Sequence, residues 1–156
     1  MKKFLTIALI AAAITSCCNN KCDKPECAGT CATATETSAT AKPEVPEGVI
    51  KAIECYINGG RLASSEVAKP GFAETATMSW YENGKLQSVP IQTLFDGFDS
   101  WQPTEVSYEI INCEVAEDVA MVAIDSQFGD AKYTDMFTLV KDGDNWKIVS
   151  KVYHTK

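Results

Sequence analysis

Asp125 interrupts a run that is otherwise largely apolar, Asp135 alternates with apolar residues in the next one, and acid–base chemistry in this chain would start from these two carboxylates. Asp125 lies within Val119 to Phe128, and Asp135 lies between Tyr133 and Phe137. A carboxylate beside an enolisable carbonyl can take a proton, while a tyrosine hydroxyl or a protonated aspartate holds the oxyanion that develops. If each run is a strand, alternation places Asp125 and Gln127 on one face with Met121 and Ala123, and Tyr133 and Asp135 on one face with Phe137 and Leu139. Such sets either point into a pocket or mark where strands leave the core and meet water. The single histidine, His154, stands two residues before the last residue and reads as a rim residue. No His-based metal cluster or Ser-His-Asp set follows from it, and neither standard glycine-rich phosphate loop is present. No cofactor is expected.

Sulfur is the other reactive element. Cys18, Cys22, Cys27 and Cys31 follow one another as C-x3-C-x4-C-x3-C. Four thiolates can hold zinc, but this is not a finger or ribbon spacing. Outside the cytoplasm the four can form a small disulfide knot, with three pairings open, or stay as thiols. Cys55 and Cys113 read as ordinary buried cysteines, with a bridge between them left open.

The first sixteen residues set the compartment. Met1-Lys2-Lys3 is a short positive end, Phe4 to Ile14 is apolar, and Ile14-Thr15-Ser16-Cys17 follows. The apolar run is about half of the roughly 20 residues a spanning helix needs, so it reads as a secretory signal and is set aside from the fold. Ile14 to Cys17 resembles the lipobox of bacterial lipoproteins, which implies cleavage before Cys17 and diacylglycerol on its thiol. The expected place is the bacterial cell envelope, on the periplasmic or outer surface, with the membrane as partner through the lipid.

Cleavage there leaves 140 residues carrying 12 basic and 21 acidic side chains, a net of −9. That balance argues against nucleic acid, which needs a basic face, and against electrostatic adhesion to anionic lipid. Residues 17–45, rich in Ala, Thr and Cys, cannot bury enough apolar surface to offset chain entropy and read as a flexible tether. Residues 46–156 then form one domain.

The domain must supply the elements that place the aspartates. A helix is expected from Pro46 to Asn58, with Val49, Ile50, Ile53, Tyr56 and Ile57 on one face and Gly59-Gly60 ending it. A short turn near Ser64 to Lys69 precedes a hairpin, Phe72 to Tyr81 and Lys85 to Val89, around Asn83-Gly84. A second helix from Pro90 carries Ile91, Leu94, Phe95 and Phe98. Four strands follow, Thr104 to Val115, Val119 to Phe128, Lys132 to Lys141 and Trp146 to His154, antiparallel because their turns are short.

This order resembles the nuclear transport factor 2-like superfamily, in its putative lumazine-binding branch close to the polyketide cyclase and ketosteroid isomerase relatives. The matching pieces are Phe72 to Trp80, Ile91 to Phe98 and Asp144 to His154. The resemblance implies an α+β fold, a cone of curved antiparallel sheet packed on N-terminal helices with a pocket at its open end. Trp80, Phe98, Trp101, Tyr108 and Tyr133, with Asp125, Gln127 and Asp135, are the candidate lining. It implies a small planar or apolar ligand, and a homodimer through the open sheet face. A non-catalytic binding or interaction module is the first expectation. An isomerase- or dehydratase-like enzyme using Asp125 or Asp135 is the alternative.

Overall fold

The computed structural model describes residues 44–156. The signal at 1–16 and the cysteines Cys17, Cys18, Cys22, Cys27 and Cys31 lie outside them. Nine helices and strands follow among the described residues: α1 Glu47–Leu62, α2 Ser65–Ala68, β1 Phe72–Glu82, β2 Lys85–Pro90, α3 Gln92–Ser100, β3 Val106–Ala116, β4 Val119–Phe128, β5 Ala131–Asp142 and β6 Asn145–Thr155. A 3-10 turn, Lys69–Gly71, joins α2 to β1.

The six strands form one sheet in the order β2-β1-β6-β5-β4-β3. It curves around α1 and α3. The expected all-antiparallel sheet is corrected at one seam, where β1 and β6 run parallel. Short turns force β3 to β6 to alternate in direction. The chain between β1 and β6 is long enough to return in either sense, so no turn constrains that pair. The hairpin follows its turn chemistry, with Asn83 at φ 51° and Gly84 at φ 81°, the left-handed pair that a two-residue loop of the favoured twist needs.

Val49, Ile53, Tyr56 and Ile57 on α1, with Leu94, Phe95 and Phe98 on α3, form the helical half of the core. The sheet adds Val122, Ile124, Phe137, Leu139, Trp146 and Ile148. Tyr56 is central, with its ring 5.3 Å from Phe137, 5.5 Å from Phe128 and 6.0 Å from Phe98.

Gly59-Gly60 does not end α1, which runs on to Leu62 and closes at Ala63 in the left-handed conformation at φ 51°. The two glycines serve packing instead. A β-carbon on Gly59 would come within 2.5 Å of the Ala68 β-carbon, and one on Gly60 would overlap the Phe128 ring. Cys55 and Cys113 are half-buried free thiols.

The outer face of the sheet carries exposed apolar side chains. Met121 and Met136 are each 58% exposed and Val152 is 45% exposed. Ala123, Met136 and Val152 are cross-strand partners in one row.

Gly60→Ala should therefore lower stability by about 1–3 kcal/mol, the range for overpacking a tight contact. Thermal unfolding followed by circular dichroism reads this, and an unchanged or raised melting temperature would contradict the packing role.

Candidate functional site

Strand parity decides which candidates reach the interior. Along β4 the buried positions are Ala120, Val122, Ile124, Ser126 and Phe128. Asp125 and Gln127 therefore lie with Met121 and Ala123 on the opposite face, away from the core. Asp125 sits in an open groove of about 300 Å³ that Tyr108, Gln127 and Tyr133 also line. Its Oδ1 accepts from Lys156 Nζ at 2.7 Å and from Thr134 Oγ1 at 2.8 Å. These two hydrogen bonds, Lys156 first, hold its carboxyl below the usual range. A surface carboxylate held ionised in this way is a weakened base, and it faces away from any carbon acid held in the interior.

Asp135 is the reverse case. Along β5 it is wholly buried, in line with Phe137 and Leu139. Its Oδ1 accepts from Lys151 Nζ at 2.6 Å. Its Oδ2 accepts from Ser126 Oγ at 2.7 Å and from Tyr56 Oη at 3.3 Å. Of the two outcomes open from sequence, Asp135 takes the interior one and does not mark an exit to water.

Sequence reasoning missed Lys151, whose side chain is 4% exposed. Trp146 and Ile148 face inward on β6, so strict alternation would turn Lys151 outward. A bulge intervenes, because Leu139 pairs with Ile148 while Thr138 pairs with Ser150. The one extra residue on β6 shifts every later side chain to the other face. Lys151 and Tyr153 turn inward, and Val152 turns out.

The ammonium lies 4.1 Å from the Tyr153 ring centroid and 5.3 Å from that of Tyr56, so two aromatic faces help to hold its charge. Burial nonetheless pushes the Lys151 amine below its ordinary value, against the pull of Asp135. Burial also pushes the Tyr56 hydroxyl well above its own, with Asp135 adding to the effect. No buried side-chain polar atom among the described residues lacks a hydrogen-bond partner.

Lys151 lies on the wall of a cavity of about 150 Å³. Tyr56, Tyr133 and Tyr153 line it together with Met78, Leu94 and Phe128. Thr93, Gly97 and Trp101, from α3 and just beyond it, complete the wall. Of the candidates, Trp101 and Tyr133 line this cavity. Trp80 is one step removed, stacked on Tyr153 at 5.6 Å between ring centroids. Tyr108 belongs to the open groove. Phe98 is corrected to core, since it is fully buried behind Tyr56 and Trp101.

The arrangement is a small aromatic chamber with the lysine of the buried ion pair and several hydroxyls on its wall. It can accept a mostly apolar molecule and meet one oxygen of it with a cation or a hydroxyl.

A family model described as "putative lumazine-binding" matches residues 44–154. A nuclear transport factor 2-like protein from Shewanella baltica is 32% identical and superposes with a TM-score of 0.66, over 70% of this chain and 91% of that one. Another from Methylobacillus flagellatus is 26% identical with a TM-score of 0.65, over 74% of this chain and 96% of that one. A Cladobotryum protein named aldolase FrzH is 26% identical over 112 residues, 70% of this chain and 90% of its own length.

Removing one member of the buried pair strands the other. Lys151→Met should lower stability by about 3–5 kcal/mol, and Lys151→Met with Asp135→Leu should recover most of it. Chemical denaturation of the two variants reads this. A single variant as stable as the parent would mean that the pair is not buried in solution.

Proposed function

The chain belongs to the putative lumazine-binding family of nuclear transport factor 2-like domains, and on that premise we propose that it is an envelope lipoprotein whose chamber binds a small carbonyl-bearing ligand. The observation that carries this is the placement of Lys151 and Asp135. Lys151 stands on the wall of a chamber made mostly of aromatic and aliphatic side chains, and its counterion Asp135 is fully buried beside it at 2.6 Å. A charge pair in a solid core is replaceable by apolar residues. One that faces an apolar chamber can orient a ligand oxygen, in the way that a few placed polar groups orient ligands in mostly apolar pockets. Lys151 and the hydroxyls of Tyr133 and Tyr153 supply the donors, and Met78, Leu94 and Phe128 supply apolar contact.

A second reading is enzymatic. Asp135, with Tyr56 and Ser126 donating to one of its oxygens, would move a proton next to the ligand carbonyl in an isomerase- or dehydratase-like step. Deprotonation beside a carbonyl is also the first requirement of aldol chemistry, and one relative carries the name aldolase. Asp125 has no part in this reading, because it faces away from the chamber.

Lipid on Cys17 would hold the domain at the membrane through the 17–45 tether. The apolar row of Ala123, Met136 and Val152 on the outer face would serve a second copy of the chain.

Gly97→Leu tests the chamber. A β-carbon there meets nothing closer than 3.9 Å, so the longer side chain can extend into the cavity with little cost to the fold. Native mass spectrometry of the chain purified from its own host should show a small molecule on the parent and none on the variant. An unliganded parent, or equal loading of both, would count against the chamber. The anchor has its own test, growth with an alkyne-tagged fatty acid. The parent should take up the label and fractionate with membranes, and Cys17→Ser should do neither.

A further inference from the structure

We propose that Lys151 is an imine-forming nucleophile, condensing reversibly with an aldehyde or ketone held in the chamber. The proposal rests on the carbonyl-binding reading above and deepens it. The geometry supplies what such a lysine needs. The amine has a cavity beside it, a proton acceptor in contact, and apolar walls that limit water.

Lys151 lines the chamber while its side chain is only 4% exposed and that of Asp135 is fully buried. Its one charged partner is Asp135, and its other close neighbours are the ring faces of Tyr153 and Tyr56. No second carboxylate competes for its protons within the cluster. Met78, Leu94 and Phe128 line the same space, so a bound carbonyl would approach the amine from an apolar side.

The step balances without any oxidant or reductant. The Lys151 ammonium passes a proton to Asp135 Oδ1, 2.6 Å away. The freed lone pair attacks the carbonyl carbon, the C–N bond forms, and the carbonyl π electrons move to oxygen. A proton passes from nitrogen to that oxygen, giving a carbinolamine. Asp135 returns its proton to the hydroxyl, the C–O bond breaks, and water leaves as the C=N bond closes. The product is an iminium cation opposite an ionised Asp135, so the pair keeps its charges before and after. Ser126 and Tyr56 stay bonded to the other carboxylate oxygen throughout, which holds the acceptor in place. Burial already shifts the amine toward its neutral form, so the initial proton transfer starts from a favourable position.

The test is reductive trapping on the full chain at neutral pH, using benzaldehyde or acetone as the carbonyl and cyanoborohydride as the reductant. Intact mass should rise by the mass of the probe less one oxygen. Peptide mapping should place the adduct on Lys151 at several times the level on any exposed lysine. Lys151→Arg keeps the cation opposite Asp135 and should lose the adduct. Benzyl alcohol cannot condense, and its binding is read separately by native mass spectrometry. If benzyl alcohol binds and neither carbonyl labels Lys151 above the exposed lysines, the imine is overturned and the binding reading stands. If none of the three probes binds or labels Lys151, both are overturned.

Discussion

The buried pair of Lys151 and Asp135 is the constraint around which the domain is organised. Two charges taken out of water are tolerated only when each meets its counterion and its remaining hydrogen-bonding capacity is used. Asp135 meets this with three donors drawn from three elements, Lys151 from β6, Ser126 from β4 and Tyr56 from α1. The one carboxylate therefore ties the first helix to three adjacent strands, β6, β5 and β4. Tyr56 in turn packs against Phe72, Phe98, Phe128 and Phe137, so a displacement at the pair would reach most of the core.

That requirement explains local choices that look arbitrary alone. Tyr56 can reach Asp135 only if α1 lies close to the sheet. Glycines at 48 and 60 allow the approach, where a β-carbon would strike Trp146 and Phe128. The bulge between Ile148 and Ser150 likewise has a consequence beyond backbone irregularity. It lets one strand present Trp146 and Ile148 to the core at one end and Lys151 and Tyr153 to the chamber at the other. A regular strand could not do both with this sequence.

The chamber and the outer groove divide the candidate chemistry cleanly. Asp125 and Asp135 look alike in sequence, each a carboxylate within a strand whose other residues include a buried apolar face. One is a surface anion held by Lys156 and Thr134, and the other is the hub of the interior. Their difference is one of strand parity. Fully buried aspartate is tolerated where a buried lysine opposes it, and the lysine was the harder residue to foresee. Lysine is among the residues least often fully buried, so nothing in its type points inward. The parity of β6 read from Trp146 and Ile148 would have placed it outside.

Sequence alone determined the elements and their order, because helical spacing, turn residues and short connections act locally. The faces of α1 and α3, the Asn83-Gly84 hairpin and the antiparallel run from β3 to β6 were all legible for that reason. It also carried the family resemblance, and Asp135 as one of two named carboxylates. Only the tertiary structure decided the parallel seam between β1 and β6, which no turn enforces. Only the structure showed that Gly59-Gly60 is a close-packing surface inside a helix, since that depends on how α2 folds back to bring Ala68 close and on Phe128, far along the chain. And only the structure brought Lys151 to Asp135, because a single extra residue in β6 inverts the side-chain pattern and leaves no mark in composition or periodicity.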